Sequence, residues 1–263
     1  MRFFPILVAA GMIGAGVMPM SATPQGTDFQ WSGRIDRGKA IEIKGINGAI
    51  VARAASGSEV QVTAVKHAGD NGDPADVTFK VVEGAAGVTI CAMYPGRSDE
   101  PNECVQGKGG RMNVRDNNTR VDFTVHVPAG VNLVAKTVNG DVESDRIGGN
   151  VQATTVNGDV NVAAAGYVQA STVNGSIEAS LGRGDWEGDL EFATVNGSIS
   201  LRLPDGIGAD VTAGTVNGGF DTDFPLTVQG KWGPKKVSGT IGGGGRKLTL
   251  NTVNGSIGLH RGG

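Results

Sequence analysis

Apolar and polar residues alternate along most of the chain beyond residue 40, which is typical of β-strands with one buried face. The alternation is cleanest at positions 121–127 and is also present at 60–64, 77–81 and 88–91. Glycine-rich and polar loops separate these segments, and the tract at 94–118 is the longest of them. No window of the sequence places apolar residues at helical spacing. The pattern therefore predicts an all-β chain.

A tetrapeptide, Thr-Val-Asn-Gly, recurs six times and organises the second half of the chain. Its asparagines, with that of a looser Ile-Asn-Gly copy near the start, are Asn47, Asn139, Asn157, Asn174, Asn196, Asn217 and Asn254. The repeats are about 17–22 residues long, and internal repeats of this size are typical of chains built from stacked units. A degenerate Val237-Ser238-Gly239 copy is interpreted as the corner of one more unit in the widest late gap.

Each repeat has the same arrangement of apolar positions around its asparagine. In the repeat of Asn157, Val151, Ala153 and Thr155 precede the corner on one face, and Val160 and Val162 follow it. The pattern predicts a strand, an Asn-Gly corner, a second strand and an outer loop of variable length.

Two all-β architectures fit these units. A β-solenoid would stack equivalent strands in register, which rewards the repetition of Thr, Val and Asn. A meander of hairpins is the alternative, because Asn-Gly between alternating strands is a strong signal for a two-residue hairpin turn. The solenoid is favoured. The asparagine column is expected either to point inward as an amide ladder or to occupy a left-handed corner conformation.

The start of the chain is typical of an export signal. Arg2 is followed by an apolar segment and by the small residues Ser21 and Ala22, which predicts a signal peptide at 1–22 and no membrane span after its cleavage. Residues 23–38 are interpreted as a linker or an edge strand. Residues 39–263 are predicted to be a single β-repeat domain, with an irregular part at 39–130 and regular repeats at 131–263.

The chain has two cysteines, Cys91 and Cys104. Export to an oxidising compartment and an even number of cysteines favour a disulfide between them. The bond would tie down the base of the polar loop between the two residues. We expect it to be a structural cross-link.

Residues with catalytic potential are few and scattered. The three histidines, His67, His126 and His260, have no partners at ligand spacing, so no catalytic site, metal site or cofactor is predicted. The net charge of −3 makes nucleic acid an unfavourable partner. A candidate ligand loop lies at 182–188, where Arg183 and Asp185 flank a glycine and Trp186 could stack on a sugar or close the core.

The export segment, the paired cysteines, the strand that ends at Val127 and Pro128, and the tandem Thr-Val-Asn-Gly units resemble a bacterial family of unknown function. The family is labelled putative adhesin, or β-strand-repeat protein, and the resemblance runs over residues 41–259. It implies a β-solenoid-like domain in an exported envelope protein with no established enzymatic activity. It brings no catalytic residues.

These observations favour a non-enzymatic envelope protein that acts as an adhesin-like binding or structural module. Contacts to an envelope glycan or a surface protein would come from the polar face and loops, including Asp159, Glu178, Ser198 and Trp186. The alternatives are a polysaccharide-active β-helix enzyme, which would need clustered carboxylates, and a passive surface unit that self-associates through its end strands. The expected location is the periplasm, the cell surface or the medium.

Overall fold

The structure is a computed structural model that describes residues 28–96, 99, 101–229 and 235–262. The predicted signal peptide at 1–22 lies outside the described residues. The prediction of an all-β chain is confirmed, since the described elements are strands and one short 3-10 helix at Pro74–Asp76. No helix among the described residues is long and apolar enough to cross a membrane.

The strands are numbered in chain order. In the first half they are β1 (Phe29–Gly33), β2 (Ala40–Lys44), β3 (Ile50–Ala54), β4 (Val60–His67), β5 (Thr78–Gly84), β6 (Gly87–Met93), β7 (Arg120–Val127), β8 (Asn132–Lys136), β9 (Val142–Ile147) and β10 (Val151–Thr154). In the second half they are β11 (Val160–Ala164), β12 (Val168–Ser171), β13 (Ile177–Leu181), β14 (Asp189–Ala193), β15 (Ile199–Leu203), β16 (Ala209–Asn217), β17 (Phe220–Thr222), β18 (Thr227–Gln229), β19 (Lys235–Ile241), β20 (Lys247–Asn254) and β21 (Ile257–Arg261).

The strands form two large sheets. The first has ten strands in the order β1-β4-β7-β3-β9-β11-β13-β15-β21-β17. The second has eleven strands in the order β18-β19-β16-β20-β14-β12-β10-β8-β2-β6-β5. The sequence parts 39–130 and 131–263 both contribute strands to both sheets. Residues 23–38 include β1, which pairs with β4 at one edge of the first sheet.

Successive repeats pair in parallel and in register in the middle of both sheets. Val151 of β10 lies opposite Val168 of β12, and Val160 of β11 lies opposite Ile177 of β13. The two strands that flank an Asn-Gly corner belong to different sheets, as β10 and β11 do. A hairpin meander would instead place them side by side in one sheet.

The inward side chains of both sheets form one continuous apolar core. The positions expected to be buried around Asn157 are buried, including Val151, Ala153, Val160 and Val162. The largest fully buried side chains, Phe123 and Phe192, lie in opposite halves of the chain. The alternation read from the sequence therefore identifies the core face of these strands.

The repeats are not stacked in chain order. The asparagine bridges join Asn196 to Asn254, and Asn254 in turn lies opposite Asn217, so the last unit of the chain is inserted before the preceding one. At the other end of the stack, β6 and β7 lie outside β2 and β3.

The interpretation of residues 237–239 as a repeat corner is wrong. Val237 lies within β19, which runs antiparallel to β16 and places Val237 opposite Ala213. Antiparallel pairing reverses the chain direction, so this segment cannot continue the parallel stack of corners.

Candidate functional site

The most regular exposed feature of the molecule is the row of Asn-Gly corners, which we call the corner ridge. It contains the seven asparagines in the spatial order Asn47, Asn139, Asn157, Asn174, Asn196, Asn254 and Asn217, the valine before each of the last six, and the residue after each glycine. Every asparagine after the first donates a side-chain N–H to the amide oxygen of the preceding one at 2.8 Å. The asparagine column is thus an amide ladder, and it lies on the outside.

The threonine of each unit anchors its corner to the neighbouring one. Thr155 is buried, and its hydroxyl donates to the carbonyl oxygen of Gly140 at 2.9 Å. The equivalent threonines make the same bond to the preceding glycine at 2.8–3.1 Å. A buried hydroxyl needs such a partner, which explains a polar residue at this inward position.

The glycine of each unit is required by close approach of the chain. A Cβ at Gly158 would overlap the carbonyl oxygen of Gly140, and the equivalent glycines meet the preceding glycine in the same way. In five of the seven units a short polar residue follows the glycine and completes the corner, as the side chain of Asp159 does when it accepts from the backbone N–H of Ser176 at 2.7 Å. The tetrapeptide and its following residue therefore each have a structural role.

The valine of each Thr-Val-Asn-Gly unit faces solvent, whereas Ile46, the equivalent residue of the first corner, is buried. Val138, Val156, Val173, Val195, Val216 and Val253 are 36–42% exposed, and together with Val114 they are the exposed large apolar residues of the described chain. Exposed apolar area is thus concentrated in one line beside the amides. This arrangement explains why Val156 alternates out of phase with Val151 and Ala153 in the sequence.

The candidate ligand loop at 182–188 is divided by the structure. Trp186 is 2% exposed, and its indole N–H donates to the carbonyl of Lys247 at 3.2 Å, so it closes the core and offers no stacking surface. Arg183 and Asp185 are exposed and form an ion pair at 3.6 Å. The loop therefore keeps two charged side chains at the surface, and of the two roles considered for Trp186 the structure gives it that of closing the core.

The predicted cysteine pair is bonded, and it holds a loop over the outer face of the second sheet. Cys91 in β6 is joined to Cys104. Beneath the loop, the ammonium of Lys44 donates to the carbonyls of Val105, Gly107 and Gly109 at 2.7–3.2 Å. A loop that is distant in sequence thereby covers strands β2 and β6.

Glu42 is the anionic partner in this covered cluster. Its carboxylate accepts from Lys136, Thr89 and the backbone of Gly107 at 2.7–2.9 Å. Burial acts to raise the pKa of Glu42, but these hydrogen bonds outweigh it and hold the pKa below its ordinary value. Burial lowers the pKa of Lys44, and the nearby Glu42 opposes that effect.

Tyr94 closes the same end of the stack. Its hydroxyl donates to the carbonyl of Thr119 at 2.8 Å, and burial raises the pKa of Tyr94 to about 12. Glu42 and Lys44 in the covered cluster, and Tyr94 separately, are therefore engaged in internal hydrogen bonds. Within the described ranges, no set of three or more His, Cys, Asp or Glu side chains is arranged to hold a metal ion.

Comparisons with known proteins found no matching family model and no matching curated protein. Among solved structures, a putative cell adhesion protein from Clostridium sporogenes is 13% identical with a TM-score of 0.46, over 89% of this chain and 99% of that one. A putative adhesin from Bacteroides fragilis is 10% identical with a TM-score of 0.36, over 88% and 96% of the two chains.

A third structure, a putative lipid binding protein from Parabacteroides distasonis, is 11% identical with a TM-score of 0.21, over 90% of this chain and 98% of that one. All three TM-scores lie below 0.5, so these likenesses carry no inference about function.

The ridge leaves part of its hydrogen-bonding capacity unused. Each amide in the middle of the ladder uses one N–H and one oxygen lone pair within the ladder, which leaves a second donor and a second acceptor directed away from it. The sequence identified the asparagines, but it did not reveal that they are exposed. The signal that could have found this is the valine on the wrong face for the core.

Proposed function

We propose that this chain is a non-enzymatic, exported binding module of the bacterial envelope, built as a β-solenoid, whose corner ridge binds an extended glycan. The ridge presents amides, valines and short polar side chains in three parallel rows. Equivalent groups recur at the spacing of neighbouring strands, about 4.8 Å. An extended polymer with regularly repeating polar and apolar groups is the ligand that such a surface fits best.

The unused hydrogen-bonding capacity of the amide ladder carries this proposal. Neutral amides can donate to and accept from sugar hydroxyls, and the exposed valines can contact the apolar faces of sugar rings. A chain of linked amides is also polarised in one direction, which strengthens the outward groups. The contacts are individually weak, so affinity would arise from many corners engaged at once.

The solenoid part of the proposal is supported by the parallel, in-register pairing of successive units. The residues that repeat are those that make contacts between neighbouring corners, such as Thr155 on Gly140. Export is supported by the disulfide between Cys91 and Cys104, since such bonds persist in oxidising compartments. The apolar segment at the start of the sequence supports the same conclusion.

The test is co-sedimentation of the chain from Thr23 onward with envelope fragments of its own bacterium across a salt series. The ridge variant is Val156→Gln with Val195→Gln, at positions that are 37% and 40% exposed. The matched control is Thr212→Gln with Thr249→Gln, which also replaces β-branched residues, on the outer face of the second sheet. Circular dichroism establishes that both variants are folded.

We expect salt-resistant pelleting that falls at least several-fold in the ridge variant and is unchanged in the control. Glycosidase treatment of the fragments should abolish pelleting, whereas protease treatment should not. Equal pelleting of both variants would remove the ridge from the binding surface. Loss of pelleting after protease alone would identify a surface protein as the ligand, and turnover of a polyuronate would overturn the non-enzymatic assignment.

A further inference from the structure

The chain contains eight Asn-Gly pairs, and they differ in how their backbone is bonded. Seven are the ridge corners, and the eighth is Asn71-Gly72 in an exposed loop. Asn-Gly is the dipeptide most prone to deamidation, because the glycine nitrogen is unhindered by a side chain. The structure decides which of the eight nitrogens is free to react.

The reaction requires only the chain and water. The backbone nitrogen of the glycine attacks the side-chain Cγ of the asparagine, the Cγ–Nδ2 bond breaks, and ammonia leaves with the proton from the attacking nitrogen. The product is a cyclic succinimide. Water then opens the ring at either carbonyl, which gives aspartate or, with the main chain rerouted through Cγ, isoaspartate.

Stacking blocks this attack at six corners. In each, the glycine N–H donates to the carbonyl oxygen of the asparagine in the next unit, at 2.8–3.0 Å, for Gly48, Gly140, Gly158, Gly175, Gly197 and Gly255. The leaving amide is also held, as Asn157 is by both of its neighbours in the ladder. Attack therefore requires the corner to open first, and local opening carries a free-energy cost.

Asn217 is the exception, because it ends the ladder. Gly218 has no hydrogen-bond acceptor for its backbone N–H among the described residues, and no neighbouring amide donates to the oxygen of Asn217. Asn217 is also exposed. The opposite end is not equivalent, since the N–H of Gly48 donates to Asn139 at 2.8 Å. The direction of the hydrogen bonds leaves the reactive nitrogen free at one end only.

We infer that Asn217 is a site of spontaneous deamidation in the folded protein, with Asn71 as the second, while the six stacked corners are protected. Asn71 is exposed, and neither its side-chain amide nor the N–H of Gly72 has a hydrogen-bond partner in the described chain. Conversion of Asn217 removes its N–H donation to Asn254 and places a carboxylate against that oxygen. The last corner of the ridge thereby acquires a negative charge and loses its ladder contact.

The test is peptide mapping of the folded chain from Thr23 onward after incubation at neutral to mildly alkaline pH. Fragment spectra measure the mass change of amide-to-acid conversion and the isoaspartate content at each of the eight asparagines. We expect Asn217 and Asn71 to convert at least about tenfold faster than Asn157 and Asn47. In denaturant with the disulfide reduced, all eight should convert at similar rates.

Slow conversion of Asn217, at the rate of Asn157 in the folded chain, would overturn the inference. Rapid conversion of Asn47 would also overturn it. That result would mean that deamidation depends on lying at an end of the ladder and not on whether the glycine N–H is hydrogen-bonded. Backbone hydrogen exchange gives an independent check. The amide of Gly218 should exchange at least about tenfold faster than that of Gly158, and equal protection of the two would contradict the assignment.

Discussion

The two ends of the stack are closed in different ways. At the first end, β6 and β7 cover β2 and β3, and a disulfide and a buried ion cluster fix the loop that follows β6. At the last end, β16 and β17 cover β20 and β21, and β19 pairs antiparallel to β16. At the first end the covering strands come later in the chain than the unit that they cover, whereas at the last end they come earlier.

The two ends show how a parallel stack is terminated. Identical units pair in register without limit, so the outermost strands need a partner that breaks the repeat. Both ends add antiparallel strands, and the first end is in addition fixed by a disulfide and a buried ion cluster. The first end should therefore resist local opening more strongly, and within the described residues the backbone N–H of a corner glycine lacks an acceptor only at the last end.

The largest expected effect comes from removing the inserted unit by ending the chain after Gly242. The deletion removes β20 and β21 and the buried residues Leu248, Leu250, Ile257 and Leu259. At about 1.5 kcal/mol for each buried side chain, the loss is roughly 6 kcal/mol. Hydrogen exchange should show lost protection in β14–β17 and retained protection in β2 and β6.

A synthetic peptide of residues 243–262, added to the truncated chain, provides the control for this deletion. It should restore protection in β16 and β17, because its β21 segment lies between β15 and β17 and pairs with both in the intact chain. Unchanged stability of the truncated chain would mean that β15 and β17 do not depend on the inserted strand.

The next largest effect is expected at the first end, from Cys91→Ala with Cys104→Ala. The bond spans 13 residues of sequence, and the chain-entropy estimate for a loop of that size is about 3 kcal/mol. Urea unfolding should show this loss, and hydrogen exchange should locate it in residues 101–111. Equal loss of protection at β16 and β17 would show that the two ends are coupled, contrary to the comparison.

A smaller effect is expected from Glu42→Gln, and it should depend on pH. Because the pKa of Glu42 is lower in the folded chain than its ordinary 4.5, the carboxylate stabilises the fold above that value. This contribution is lost as the pH falls through the folded pKa. We expect a loss of about 1–3 kcal/mol at pH 7 from the unpaired lysines, with a smaller difference from the wild type near pH 3.

The control for this substitution is Glu178→Gln, on an exposed strand position of the first sheet. It should change the urea midpoint little at either pH. A Glu42→Gln variant whose deficit stays the same from pH 7 to pH 3 would contradict the role of the charged carboxylate.

Local features of the fold could be predicted from the sequence. The alternation around Asn157 identifies Val151 and Val160 as core residues, because strand periodicity is a local property. The Thr-Val-Asn-Gly spacing likewise identifies the corners. In the sequence, the exposure of Val156 shows only as a mismatch with that periodicity. The structure explains the mismatch, because the valine faces solvent at the corner.

The order of the units could not be predicted, because it depends on contacts between distant segments. Nothing near Asn254 indicates that its unit lies between those of Asn196 and Asn217. The burial of Glu42 and Lys44 depends on a loop some sixty residues later, as the Lys44–Val105 bond shows with a separation of 61. Both residues alternate with buried isoleucines, so the sequence alone assigns them to a solvated face.

The smallest expected effect is on the ladder itself and compares its middle with its last corner. Asn157→Ala removes two side-chain hydrogen bonds, to Asn139 and from Asn174, whereas Asn217→Ala removes one. Both sites are exposed, so we expect losses of about 1 kcal/mol and about 0.5 kcal/mol in urea unfolding. The middle substitution also divides a polarised chain, and its cost should exceed twice that of the end substitution if the bonds are cooperative. A ratio of two would mean that the bonds act independently, whereas equal costs at the two sites would contradict the comparison, because the last corner would then be as well supported as a corner in the middle.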